Sequence, residues 1–228
     1  MRRFTDELRE AAEPIWAAQH THPVVRGIGD GTLDPDRFRS YIRQDYLFLI
    51  EYGRLLALAS ARSPTLELQT RFAELAQAIL ATEMELHRAY ARDWGISPEE
   101  LEAERAAPQT RAYTDFLLRT ATLGDFAELV AALLPCMWGY AEIGQQLAEN
   151  GLPDHQLYAR WIETYAGDDF ADLAHWCRDL CDSIATNAAA ETRARMRGAF
   201  LKSSRYELAF WDTAHPPPPA GETAQPWA

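Results

Sequence analysis

"DPDRFRSYIRQDYLFLIEYGRLLALASARS", residues 34–63, sets the period that recurs through the rest of the chain. Its apolar residues return every three or four positions, which predicts one long amphipathic helix. Asp34 reads as the N-cap. Pro35 occupies the first helical position, where a missing N–H leaves no intrahelical acceptor unsatisfied. After Pro64 the same spacing continues in "TLELQTRFAELAQAILATEMELHRAYARDWG" (65–95) and predicts a second long helix that stops at Gly95. "SPEELEAERA" restarts the pattern with a serine, a proline and glutamates in the first turn. Further helices are expected over roughly 109–123, 125–149, 154–165, 168–187 and 190–213, with breaks at Gly124, Asn150-Gly151 and Gly167. No segment alternates as a half-buried strand would. The short connections favour antiparallel neighbours. The expected fold is therefore all-α, a single-domain helical bundle over residues 1–214. The tail "HPPPPAGETAQPWA" (215–228) cannot continue a helix and is expected to be an extended or mobile appendage.

Composition narrows the function. Hydrophobic residues make up 47% of the 228, enough for a substantial core, and the net charge is -12. Lys202 is the single lysine and the arginines are scattered among carboxylates, so the clustered cations of a nucleic-acid surface are missing. The N-terminal "MRRFTDELREAAEPIW" lacks the apolar run of a signal peptide. No uninterrupted apolar stretch approaches the ~20 residues of a membrane span. Three cysteines, with Cys177 and Cys181 one helical turn apart, fit reduced thiols better than a disulfide. A cytoplasmic protein with neither a nucleic-acid nor a membrane partner is expected.

Chemistry-bearing residues sit in unusual places. "LLPCMWGYAEIG" (133–144) puts Cys136 and Tyr140 on one helix face, beside a proline expected to kink the helix and two glycines that remove bulk. A lone cysteine on an apolar helix usually packs as a small hydrophobe. Local rule-breaking, however, concentrates at functional sites. Asp45 lies among Tyr41, Phe48 and Tyr52 on its own face, where a carboxylate requires a partner such as a basic ligand nitrogen. Glu207 is flanked by Phe210 and Trp211, and Tyr113 and Tyr165 stand in apolar helical surroundings. A competing grouping of Glu83 or Glu85, His87, Glu142, His175 and Asp179 offers carboxylate and histidine ligands of the kind helical bundles use for two iron or manganese ions. The Glu-x-x-His pairs of such sites are absent. Phosphate-binding glycine loops, zinc spacings and the Gly-x-Ser-x-Gly elbow are absent too.

Taken together, "YIRQDYLFL" (41–49), "LLPCMWGYAEIG" (133–144), "WIETYAGDDF" (161–170) and "SSRYELAFWDTA" (203–214) resemble, in order and spacing, the TenA family, also called thiaminase II. The resemblance spans about residues 4 to 214. It implies a heme-oxygenase-like fold, a homotetramer and hydrolysis of 4-amino-2-methylpyrimidine compounds in thiamin salvage. Hydroxymethylpyrimidine would be released from the aminomethyl pyrimidine and, more slowly, from thiamin. It also implies roles: Cys136 as nucleophile, Glu207 as acid/base, Asp45 as the carboxylate that binds the ring, and Tyr113, Tyr140 and Tyr165 as pocket tyrosines. Phe48 matches an aromatic position often held by tyrosine, so a hydroxyl contact would be lost there. No metal or organic cofactor is implied. The alternatives are a di-iron or manganese oxidase or oxygenase on the same fold, and a non-catalytic pyrimidine-binding or regulatory protein.

Overall fold

Several of the boundaries that set the architecture are written in a cap or a breaker. The computed structural model describes residues 2–214 apart from the side chains of Thr82, Glu83 and Leu86; Met1 and the proline-rich tail from 215 lie outside the described residues. The described residues form eleven α-helices and no strand. In chain order these are α1 (Phe4–His20), α2 (Pro23–Gly29), α3 (Pro35–Arg62), α4 (Leu66–Gln77), α5 (Met84–Asp93), α6 (Pro98–Ala103), α7 (Pro108–Leu123), α8 (Phe126–Glu149), α9 (Gln156–Ala166), α10 (Asp168–Thr186) and α11 (Ala190–Trp211). A short 3₁₀ turn, Asp212–Ala214, closes the described chain.

The caps expected at Asp34 and Ser97 are present, and a further one stands at Asp125. Asp34 accepts from the Asp36 amide, with Pro35 opening α3. Ser97 and Glu100 form a reciprocal capping box on α6, and Asp125 and Glu128 form another on α8. Gly95 takes a φ of 75°, the left-handed conformation that ends α5.

Three features differ from the sequence expectation. Helices α1 and α2 are additional to the expected set, and α1 continues past Pro14 in its interior. The long helix expected over 65–95 is instead two helices joined by a π-helical turn at Ala78–Glu83. One wide turn adds a residue without changing the apolar spacing on either side, so periodicity does not report it. Gly139 and Gly144 also divide. A Cβ on Gly144 would stand 2.6 Å from the backbone carbonyl carbon of Tyr165, so this glycine does bring α8 and α9 into close approach. Nothing lies within 4 Å of a Cβ on Gly139.

At the centre is α8, apolar all round and packed against α7, α9, α10 and α11, while α3 packs on α4, α5 and α7. It has the length and composition to cross a membrane, yet 78% of its apolar window is buried inside the bundle, as a core helix requires. The helix continues unbroken through Pro135, whose ring nitrogen cannot donate back to Ala131. Hydroxyls from two other helices reach the backbone bordering this gap: Ser203 donates to the Ala132 carbonyl (2.6 Å) and Tyr52 to the Leu133 carbonyl (3.1 Å). These two bonds tie the middle of α8 to α11 and α3, directly beside Cys136.

Candidate active site

A cavity of about 100 Å³ lies where α3, α7, α8, α9, α10 and α11 converge, with the C-terminal end of α4 and the π-helical turn contributing Leu75, Ala78 and Ile79. All seven residues singled out in the sequence line it: Asp45 and Phe48 from α3, Tyr113 from α7, Cys136 and Tyr140 from α8, Tyr165 from α9, and Glu207 from α11. Helical spacing explains the pairs, since Cys136 and Tyr140 are one turn apart on α8. Aromatic rings make up most of the wall. Phe48 meets Tyr52 (5.4 Å between centroids), Tyr113 (5.1 Å) and Phe210 (5.5 Å), and Tyr165 meets Tyr140 (4.9 Å) and Phe170 (5.1 Å). A flat ring with apolar faces fits such a lining, and the few polar groups in it set orientation.

Those polar groups are two carboxyls, a thiol and several phenols. Glu207 is 2% exposed. Burial drives its pKa up to about 8, and the charge of Asp45 pushes the same way; hydrogen bonds from Tyr113 and Cys136 offset part of the rise. Tyr113 lies 2.5 Å from Glu207 Oε1 and 3.0 Å from Ser203 Oγ. Burial also raises Tyr113, Tyr140 and Tyr52 well above the ordinary phenol value, so all three are neutral hydrogen-bonding groups at physiological pH. Tyr52 stands within hydrogen-bonding reach of the Cys136 thiol, so a hydroxyl beside the sulfur comes from this residue, four positions after Phe48. Of the three cysteines, Cys136 alone lines the cavity. Cys177 and Cys181 are buried in the core, where burial pushes both thiols up, Cys181 to about 12.

Asp45 already has a protein partner. Its Oδ2 lies 2.7 Å from Nε2 of His87 on α5. With Asp45 ionised, Nε2 carries the proton, and the ion or hydrogen-bonded pair answers the need for a partner that the sequence raised.

The metal-ligating set is not brought together. His87 is held by Asp45, Glu142 binds Arg9 (2.6 Å) and His20 (3.1 Å), and Asp179 binds Arg3 (2.5 Å). Glu85 pairs with Arg88 and His175 is exposed; the side chain of Glu83 lies outside the described residues. No group of three or more His, Cys, Asp or Glu among the described residues is arranged to hold a metal ion.

Comparison with known proteins fits this geometry. Residues 9–215 match the model of the TENA/THI-4/PQQC family. This chain belongs to that family. A curated relative from Halalkalibacterium halodurans, named aminopyrimidine aminohydrolase, is 45% identical over 93% of this chain and 95% of its own. The solved TenA homologue of P. horikoshii superposes with a TM-score of 0.87 at 30% identity, covering 93% of this chain and 98% of that one. A domain from Shewanella denitrificans described as having a heme oxygenase-like fold superposes with a TM-score of 0.73 at 12% identity, covering 92% and 91%. At that identity it speaks for the fold alone, which is the heme-oxygenase-like bundle expected.

In this member of the TENA/THI-4/PQQC family several residues that line or back the cavity are not singled out by sequence. Tyr52 was legible as an aromatic on the Asp45 face, but not as a partner of Cys136. Phe170 and Ser203 lay inside quoted segments without a reason to stand out. The sequence offers His87 only within the competing metal grouping, because a histidine in a Glu-rich helix gives no sign of a partner on a helix 42 residues earlier.

Proposed function

We propose that this protein is a hydrolase that releases hydroxymethylpyrimidine from 4-amino-5-aminomethyl-2-methylpyrimidine, and more slowly from thiamin, in thiamin salvage. One observation carries the reading: a thiol, Cys136, and a buried carboxyl that keeps its proton near neutral pH, Glu207, share an aromatic cavity with a second carboxylate, Asp45. The name of the 45%-identical relative supports the same substrate class.

The chemistry follows from these groups. The aminopyrimidine lies between the rings, with a ring nitrogen toward Asp45. The sulfur of Cys136 forms a bond to a ring carbon, and the thiol hydrogen ends on the ring nitrogen that Asp45 holds. Breaking aromaticity lets electrons flow toward the exocyclic methylene, and its C–N bond breaks as Glu207 donates a proton to the departing amine. Ammonia leaves. Water then adds to the methylene carbon and gives a proton to the Glu207 carboxylate. The C–S bond breaks, the ring regains aromaticity, and the proton returns to sulfur. The net change is amine plus water to alcohol plus ammonia, and the protein's own groups supply every proton step. A cytoplasmic homotetramer with its catalytic domain in residues 1–214 belongs to the same proposal.

The test is turnover of the aminomethyl pyrimidine and of thiamin, following hydroxymethylpyrimidine. Cys136→Ser is expected to lower kcat by at least about a thousandfold while the circular dichroism spectrum and melting curve stay close to those of the parent. Full activity in that variant sinks the nucleophile assignment. Absence of product from both substrates with the parent protein sinks the reading as a whole.

A further inference from the structure

The hydroxyls behind Glu207 form a chain whose hydrogens can be counted. At one end is the carbonyl of Ala132, which only accepts. Ser203 Oγ lies 2.6 Å from it and therefore spends its one hydrogen there. Toward Tyr113, at 3.0 Å, Ser203 then has only lone pairs to offer. The phenol must donate across that link. Having spent its own hydrogen, Tyr113 can then only accept from a protonated Glu207 across the 2.5 Å link, the reverse of the phenol-to-carboxylate bond made when Glu207 is ionised. Every link is satisfied in one state alone, with the proton on Glu207. When Glu207 ionises, the phenol hydrogen swings to the carboxylate and the Tyr113–Ser203 link loses its hydrogen. Ser203 and Tyr113 are both almost wholly buried, so no bulk water replaces the lost bond.

We propose that Ser203 is a positioning residue that draws the Tyr113 hydroxyl away from Glu207 and so holds the proton on the Glu207 carboxyl. Ser203 touches neither the cavity nor the reacting atoms; it acts through Tyr113. It is placed to do so by sequence, one helical turn before Glu207 on α11, and its own anchor is the α8 backbone one turn before Cys136. The proposal adds a cause to the retained proton beyond burial and the charge of Asp45.

Other groups face Glu207 and stay constant in the comparison. They are Asp45 and Tyr52 on α3, Cys136 and Tyr140 on α8, and Tyr165 on α9, with His87 on α5 behind Asp45. Without the Ser203 hydroxyl, Tyr113 has no second acceptor among the described residues and donates to Glu207 whether that group is protonated or ionised. The ionised form is thereby favoured, and the Glu207 midpoint falls.

The role as a catalytic aid rests on the proposed chemistry at Glu207, but the proton placement does not, and a substrate-free titration separates them. Protein labelled with carboxyl-¹³C glutamate is titrated by NMR or infrared difference spectroscopy, with Glu207→Gln identifying the signal. The parent is expected to show Glu207 protonated at neutral pH. Ser203→Ala is expected to lower its midpoint by about one pH unit, the size of one net hydrogen bond. Ser203→Thr, which restores the hydroxyl, is expected to return it toward the parent. In turnover assays the alkaline limb of kcat moves by the same amount, with KM little changed. A midpoint that is unchanged or raised in Ser203→Ala overturns the proposal, as does a parent Glu207 ionised down to the ordinary carboxylate range. The second result stands even if the alanine variant does not fold. A shifted midpoint in a protein that turns over neither substrate upholds the chain and sinks the function instead.

Discussion

At the scale of single residues, Glu207 makes the site's chemistry measurable in stability. Its carboxyl holds its proton to about pH 8 in the folded protein and only to the ordinary glutamate value when unfolded. Between those values the folded state binds more protons than the unfolded state, so stability falls as pH rises. The loss begins above about pH 4.5 and is complete above the folded value near 8, amounting to at most about 5 kcal/mol. Glu207→Gln keeps the shape and removes the titration. The melting temperature of the parent is therefore expected to fall relative to that of the glutamine variant between pH 5 and pH 9, other groups cancelling in the difference. Parallel curves would mean that Glu207 ionises normally. Cys136, Asp45 and Glu207 were legible in sequence because each breaks the rule for its surroundings, a polar or reactive group on an apolar helical face. Ser203 and His87 break no such rule. A serine in a helix and a histidine among glutamates are ordinary until the fold supplies Tyr113 or Asp45.

At the scale of elements, the contacts that shape the cavity depend on where helices approach one another, and the two glycines of α8 separate that effect from mere absence of bulk. Gly144→Ala places a methyl 2.6 Å from the Tyr165 backbone, so α8 and α9 must part or shift. Because Tyr165 is in the cavity wall, the expected result is a loss of about 1–3 kcal/mol in denaturant unfolding together with a raised KM. Gly139→Ala meets no atom within 4 Å and gains helix propensity, so it is expected to be neutral or to stabilise by up to about 1 kcal/mol. Equal effects at both positions would refute the assignment of Gly144 as the α8–α9 spacer. Helix starts such as those at Asp34 and Ser97 were readable because a cap and the amides it bonds lie within three residues. The π-helical turn at Ala78–Glu83 was not, because its register is decided by what α4 and α5 pack against. The same holds for α1, whose helix tolerates Pro14 in its interior.

At the scale of the molecule, the cavity is walled by segments as far apart in sequence as Asp45 and Phe210, so a bound ring joins helices from both ends of the chain. The all-α class was legible from periodicity, since 3.6-residue spacing recurs in nearly every segment. Which helices enclose the cavity was not, because periodicity fixes the buried face of each helix but not its neighbours. That architecture makes ligand binding a global stabiliser. A ligand that binds only the folded state at a hundred times its Kd adds about 2.7 kcal/mol. For a chain of this length that corresponds to a rise in melting temperature of roughly 5–10 °C. Hydroxymethylpyrimidine, the proposed product, is expected to give this rise in the parent and in Cys136→Ser, because the role proposed for the thiol is bond formation and not holding the ring. Asp45→Asn is expected to abolish it, because the ring nitrogen loses its carboxylate and His87 loses its partner. A rise that survives Asp45→Asn but disappears in Cys136→Ser would reverse the two roles, making the thiol the anchor and the carboxylate dispensable for binding.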